Sequence, residues 1–182
     1  MANITLAVTG SISAYKAADL TSQLTKLGHK VTVLMSRSAM DFITPLTLQS
    51  LSKNLVHTDV MVEEDPSLIK HIDIAKETDL FLVAPASANT IAKLAHGMAD
   101  NIVTATALAL PIGIPKLIAP AMNTNMYLNP ATQKNLNTLE EYGFDEVKPR
   151  EALLACGDFG TGALAEVTDI LEKVSNTLDE KQ

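Results

Sequence analysis

A single cysteine, Cys156, excludes an internal disulfide and a cysteine-cluster metal site, so the thiol fits a reducing compartment. Basic residues are also scarce. Fourteen stand against twenty-one acidic ones, the net charge is −7, and no stretch gathers Lys or Arg into a patch that could neutralise a nucleic-acid backbone. Tryptophan is absent and aromatics make up only 4%, so the 47% hydrophobic content is mostly aliphatic; in 182 residues this suits one domain, over 1–182, with a well-buried core. No apolar run approaches the roughly 20 residues of a membrane span, and the opening Met1 to Gly10 has no cationic start, so a cytoplasmic protein is expected. There is no internal repeat, low-complexity tract or linker, and only the acidic tail after Leu178 is expected to fray.

The apolar periodicity is that of an α/β chain. Residues 4–8 form a buried-type strand ended by Thr9-Gly10, and Ala17, Leu20, Leu24 and Leu27 then recur at helical spacing. Gly28 caps that helix and Val31 to Met35 supply the next strand, closing a βαβ unit with parallel strands. Further apolar runs, Leu80 to Val83 before Ala84-Pro85 and Lys116 to Ile118 before Ala119-Pro120, predict two more central strands. Residues 129–142 and 165–178 read as helices, and 53–70 and 149–163, with weak periodicity and many turn formers, read as loops over the sheet edge.

In parallel α/β sheets ligands sit where strands end, and three strand ends here carry small polar residues: Gly10-Ser11-Ile12-Ser13, Ser36-Arg37-Ser38 and Ser87-Ala88-Asn89-Thr90. At the first, Gly10 lets the backbone approach an anion and the following N–H groups suit phosphate oxygens; a helix cap by Ser11 or Ser13 accounts for it equally well. The dinucleotide fingerprint is missing its second and third glycines, so a mononucleotide fits better than NADP, although Ser36-Arg37-Ser38 has the character of a 2′-phosphate site. His71 falls near a helix start, where a structural role is the commoner one. The glycine-punctuated Ala155 to Gly162, carrying the thiol, reads as a substrate lid or as an ordinary surface loop.

Taken together, Gly10 to Lys16, His71, Pro85 to Thr90, Pro120-Ala121-Met122-Asn123-Thr124-Asn125-Met126 and Ala155 to Gly162 resemble the flavin-containing cysteine decarboxylases, from about residue 3 to residue 172. The resemblance implies a Rossmann-like three-layer fold with a mostly parallel sheet, binding FMN at a subunit interface of a homo-oligomer, a trimer or a dodecamer of trimers. It carries flavin contacts onto Gly10, Ser11, Ile12, Ser36, Ser38, Ser87, Ala88, Asn89, Thr90 and Ala121. Catalysis falls to His71 and Cys156, and substrate binding to Asn123, Met126, Ala155 and Gly157, with no metal. The implied substrate is 4′-phospho-N-pantothenoylcysteine, decarboxylated to 4′-phosphopantetheine in coenzyme A biosynthesis through thioaldehyde and ene-thiol intermediates. His71 would take up a proton or stabilise charge during oxidation, Asn123 would hold the carboxylate, and Cys156 would donate a proton on the return.

Two positions depart from the family pattern. Tyr127 stands where Trp is common, and Ala163 stands where related clamps place a basic residue. The alternatives are a peptidyl-cysteine decarboxylase, a flavin prenyltransferase and a non-enzymatic regulatory flavoprotein; His71, Asn123, Cys156 and the short tail favour an active enzyme on the small substrate. The chain stops just past its final helix, so the form without a fused ligase domain is expected.

Overall fold

The computed structural model describes residues 1–62 and 69–180. The chain runs β1 (Asn3–Val8), a 3₁₀ turn (Ile12–Tyr15), α1 (Lys16–Lys26), β2 (Lys30–Met35), a second 3₁₀ turn (Arg37–Asp41), α2 (Pro45–Ser52), β3 (Val56–His57), α3 (Lys70–Glu77) and β4 (Leu80–Ala86). It continues through α4 (Ala88–Ala95), α5 (Ile102–Ala109), β5 (Lys116–Pro120), α6 (Thr124–Leu128), α7 (Pro130–Glu141), β6 (Phe144–Glu146), β7 (Arg150–Leu153), β8 (Phe159–Ala163) and α8 (Val167–Asp179).

Six strands make one parallel sheet in the order β3-β2-β1-β4-β5-β6, and helices cover both faces. Alternate strand residues divide the core between the two faces. Ile4, Leu6, Val31, Val33, Leu80 and Leu82 pack with Leu20, Leu24 and Leu48 from α1 and α2 and with Ile170 and Val174 from α8. On the other face Leu34, Phe81, Val83 and Ile118 pack with Ile91, Ile102, Val103 and Leu139 from α4, α5 and α7. All seven residues of β4 are buried, as a central strand covered on both faces requires.

Several boundaries differ from the sequence expectation. β4 does not stop at Val83 but runs on through Ala84-Pro85 to Ala86. Leu27 is exposed, because α1 ends at Lys26 and Gly28, at φ +87°, turns the chain away. The stretch 53–70 is not all loop: Val56–His57 adds an edge strand beside β2 and Lys70 opens α3, while Pro66, Ser67 and Leu68 lie outside the described residues. The largest correction concerns 149–163, where Arg150–Leu153 and Phe159–Ala163 pair as an antiparallel hairpin. Glycines at 157, 160 and 162 and few buried apolar residues hide this pairing, because the hairpin is held by docking on a neighbouring loop and not by a hydrophobic face of its own. After the hairpin, helix α8 includes Leu178 and Asp179.

Candidate active site

After β1 the chain winds outward through β2 and β3, then returns to lay β4 on the other side of β1. This reversal opens a crevice at the carboxyl ends of β1 and β4, the place where open α/β sheets bind ligands. Four adjacent strands deliver the polar segments to that edge: Ser36-Arg37-Ser38 from β2, Gly10 to Ser13 from β1, Ser87 to Thr90 from β4 and Ala121 to Met126 from β5.

Three of these segments begin the same way. Ser11, Ser36 and Ser87 are extended residues whose side-chain oxygens accept from the backbone N–H of Ser13, Ala39 and Thr90 and cap the turns that follow. Thr9 ties two of the segments together: its buried hydroxyl donates to Pro85 O at 2.7 Å and accepts from Ser87 N at 2.8 Å. Gly10 is required at its place, since a Cβ there would lie 2.4 Å from Ser38 Oγ.

The hairpin closes the other side. Met122 N donates to Gly162 O at 2.9 Å, and a Cβ on Gly162, which sits at φ +152°, would fall 2.2 Å from Met122 O. A Cβ on Gly160 would meet Thr124 Oγ1 at 2.5 Å. Backbone therefore packs directly on the start of α6, and the tip of the hairpin is brought over Asn123. Asn123 Oδ1 caps α6 by accepting from Asn125 N at 2.8 Å, which leaves Nδ2 to donate to Cys156 Sγ at 3.3 Å. The thiol in turn lies 3.4 Å from Asp158 Oδ2. Cys156 is exposed.

Between floor and hairpin lies a cavity of about 480 Å³. Of the flavin contacts named from sequence, Gly10, Ser11, Ile12, Ser87, Ala88 and Ala121 line it, and so do Asn123, Met126, Ala155 and Cys156 of the catalytic and substrate group. Ser36 and Ser38 stand behind Gly10, their hydroxyls 3.2 Å apart. Asn89 and Thr90 lie on α4 outside the lining, Thr90 being buried against Ser87 with Oγ atoms 3.2 Å apart, and Gly157 forms the turn beyond the thiol at φ +89°. His71, the second residue of α3, is not brought to this cavity; its Nδ1 is buried with no hydrogen-bond partner among the described residues.

Tyr127 donates its hydroxyl to Glu146 Oε1 at 2.9 Å, which secures α6 to the end of β6. Burial, and then the adjacent carboxylate, push this phenol up to about 12, and burial raises the Glu146 carboxyl above its usual range. Three residues have no site role assigned from the sequence, Lys16 entering only as the end of the Gly10 to Lys16 run. Thr9 reads only as a strand end. Lys16 follows the first turn and Arg150 opens the hairpin, yet both line the cavity, and Arg150 stands across the hairpin from Ala163.

Comparison with known proteins places this geometry. Residues 1–179 match the Flavoprotein family model. The chain is 61% identical over 96% of its length to a probable phosphopantothenoylcysteine decarboxylase of Streptococcus mutans, covering 98% of that protein. It is 47% identical over 93% of its length to the coenzyme A biosynthesis bifunctional protein CoaBC of Bacillus subtilis, of which it spans 41%. Among solved structures, a PPC decarboxylase mutant complexed with pantothenoylaminoethenethiol superposes with a TM-score of 0.88 at 31% identity, covering 98% of both chains. The FMN binding protein AtHal3 superposes at 0.84 and 31% identity, over 98% of this chain and 97% of that one. No helix among the described residues is long and apolar enough to cross a membrane. With the switch-point crevice, the strand-end serines and the family match over nearly all of its length, the chain belongs to the flavoprotein family.

Proposed function

We propose that this chain decarboxylates 4′-phospho-N-pantothenoylcysteine to 4′-phosphopantetheine, a step of coenzyme A biosynthesis, with FMN as its cofactor. The observation that carries the reading is the pairing of Asn123 Nδ2 with Cys156 Sγ at 3.3 Å across the mouth of a cavity floored by three strand ends. The 61% identical relative and the decarboxylase structure that aligns end to end support it.

The residues present suit a flavin. The cavity's 480 Å³ falls within the range of small-molecule sites, and its floor is backbone and small side chains, including a Gly10 that leaves no room for a Cβ beside Ser38. Gly10 to Ile12, Ser87, Ala88 and Ala121 would hold it, with Ser36 and Ser38 behind Gly10. Bound flavin supplies reversible two-electron chemistry, through which the substrate's cysteine side chain becomes a thioaldehyde whose C=S accepts the electrons released as carbon dioxide leaves.

The chain's own residues perform the remaining work. The amide N–H of Asn123 orients the substrate carboxylate without holding the departing group by charge. The hairpin shields the site from water, and Cys156 donates a proton when the ene-thiol is reduced. His71 takes up a proton during oxidation. Its absence from the cavity of its own chain supports a homo-oligomer, a trimer or a dodecamer of trimers, in which a neighbouring copy supplies this residue. We take the chain to be a single flavoprotein domain acting in the cytoplasm.

Anaerobic incubation of the FMN-loaded protein with 4′-phospho-N-pantothenoylcysteine should release carbon dioxide stoichiometrically and return the flavin to its oxidised colour. A yellow protein that releases none would refute the reading. Mixed oligomers of His71→Asn and Cys156→Ser chains should recover activity that neither variant has alone, and a mixture as inactive as its parents would exclude the shared site.

A further inference from the structure

In a chain of net charge −7, the only charged residues along the 480 Å³ cavity, among the described residues, are two cations, Lys16 and Arg150. They come from distant parts of the sequence and are held by one carboxylate. Lys16 Nζ lies 3.5 Å from Glu166 Oε2, and Arg150 Nε lies 2.9 Å from Glu166 Oε1. The arginine contact is a charge contact without an aligned N–H, and that buried Nε–H has no hydrogen-bond acceptor among the described residues. Each oxygen of Glu166 thus fixes one cation and leaves donors on both free for a further acceptor; Glu166 itself does not line the cavity.

The spacing suits the substrate proposed above, on which this inference rests. Arg150 opens β7 and Leu153 ends it, a rise of roughly 10 Å at the strand repeat. Cys156, beside the reacting carboxylate, lies just beyond that end. In phosphopantothenoylcysteine about ten bonds separate the cysteine nitrogen from phosphorus, roughly 12 Å when extended at chain-like reach. A substrate with its carboxylate on Asn123 and its arm along β7 brings its phosphate to the level of Arg150. Opposite stands Ala163, whose methyl side chain leaves that end of the hairpin open.

We propose that Lys16 and Arg150, spaced by Glu166, form the seat of a phosphate monoester, and that the monoester is that of the substrate. A guanidinium and an ammonium together suit it, the first by its planar fork and the second as a compact charge.

The test is binding, independent of turnover. Calorimetry on FMN-loaded protein should show 4′-phosphopantetheine binding about 10- to 100-fold tighter than pantetheine, the span expected for charge-assisted contacts. Arg150→Met and Lys16→Met should each cut that preference about tenfold, and Arg150→Lys should restore part of it. A wild-type protein that binds the two equally overturns the seat whether or not it decarboxylates; loss of turnover with the preference intact counts against the proposed function alone. The flavin is the other source of a phosphate monoester, so FMN and riboflavin affinities are measured on the same variants. A shift in the FMN-to-riboflavin ratio with the pantetheine ratio unmoved would also overturn the proposal.

Discussion

Gly162→Ala is the sharpest test of how this site is assembled. Gly162 sits at φ +152°, and a methyl group there would lie 2.2 Å from the carbonyl oxygen of Met122, more than 1 Å inside ordinary van der Waals contact. The obstruction is backbone, so no rotamer relieves it; β8 must lift or the 121–123 loop must retreat. Either movement breaks the 2.9 Å bond from Met122 N to Gly162 O, about 1 kcal/mol, and the disfavoured backbone region adds about 1–3 kcal/mol. The sum of about 2–4 kcal/mol corresponds to a melting-point fall of about 4–16 °C if unfolding is global. If the hairpin instead detaches alone, the loss is local and the rest of the fold keeps its melting point. The two cases are separated by thermal melts and limited proteolysis across 150–163. In both, Asn123 and Cys156 should part, with flavin retained, turnover lost by at least tenfold and Cys156 alkylated faster than in the wild type. A Gly162→Ala protein with wild-type melting, proteolysis and turnover would refute the claim that the hairpin holds Cys156 against Asn123.

Other perturbations separate fold from chemistry. Asn123→Asp keeps an oxygen acceptor to cap α6 but removes the Nδ2 donor, so melting should change by less than about 1 kcal/mol while kcat/KM falls by about 10- to 100-fold; equal loss of both would assign Asn123 a structural role only. Thr9→Val leaves Ser87 N without its acceptor and Pro85 O without the hydroxyl donor, costing about 1–3 kcal/mol, and should weaken FMN binding because two walls of the crevice lose their tie; calorimetric FMN titration decides it. Burial raises the Glu146 carboxyl above the usual carboxylate range, so the folded state holds a proton that the unfolded chain has released, and stability falls as pH rises through that window. Glu146→Gln should flatten this slope in pH-dependent melts, and an unchanged slope would place the titration elsewhere.

The four inner strands β2, β1, β4 and β5 are legible because they read as unbroken apolar runs, whereas the short edge strands β3 and β6 and the hairpin at 150–163 are not. Its strands carry Arg150, Glu151 and three glycines within or beside them, and what holds it is a fit of backbone against backbone at Gly162 and Met122, which leaves no hydrophobic period. Arg150 is hidden for the same reason: a residue in a stretch without period offers no face, and only the register that sets it opposite Ala163 brings it to the cavity.

The strand-end serines show the reverse case, in which the residue type is readable from sequence and the structure gives it a definite local job. Ser11, Ser36 and Ser87 do cap the turns that follow them, and by capping they fix the backbone that floors the crevice. The hydroxyls are engaged further: that of Ser87 donates to Thr90 Oγ1 at 3.2 Å and that of Ser36 lies 3.2 Å from Ser38 Oγ, so both side chains are tied into the floor by more than the cap. Capping thus sets the position of the residues that the proposed flavin contact would use. His71 marks the limit of that logic, because its residue type and chain position were readable while its place relative to the cavity was not. Parallel strands put the amino terminus of α3 at the same edge of the sheet as the crevice, yet α3 packs on α5 and away from the hairpin, so the fold of one chain holds His71 apart from Cys156.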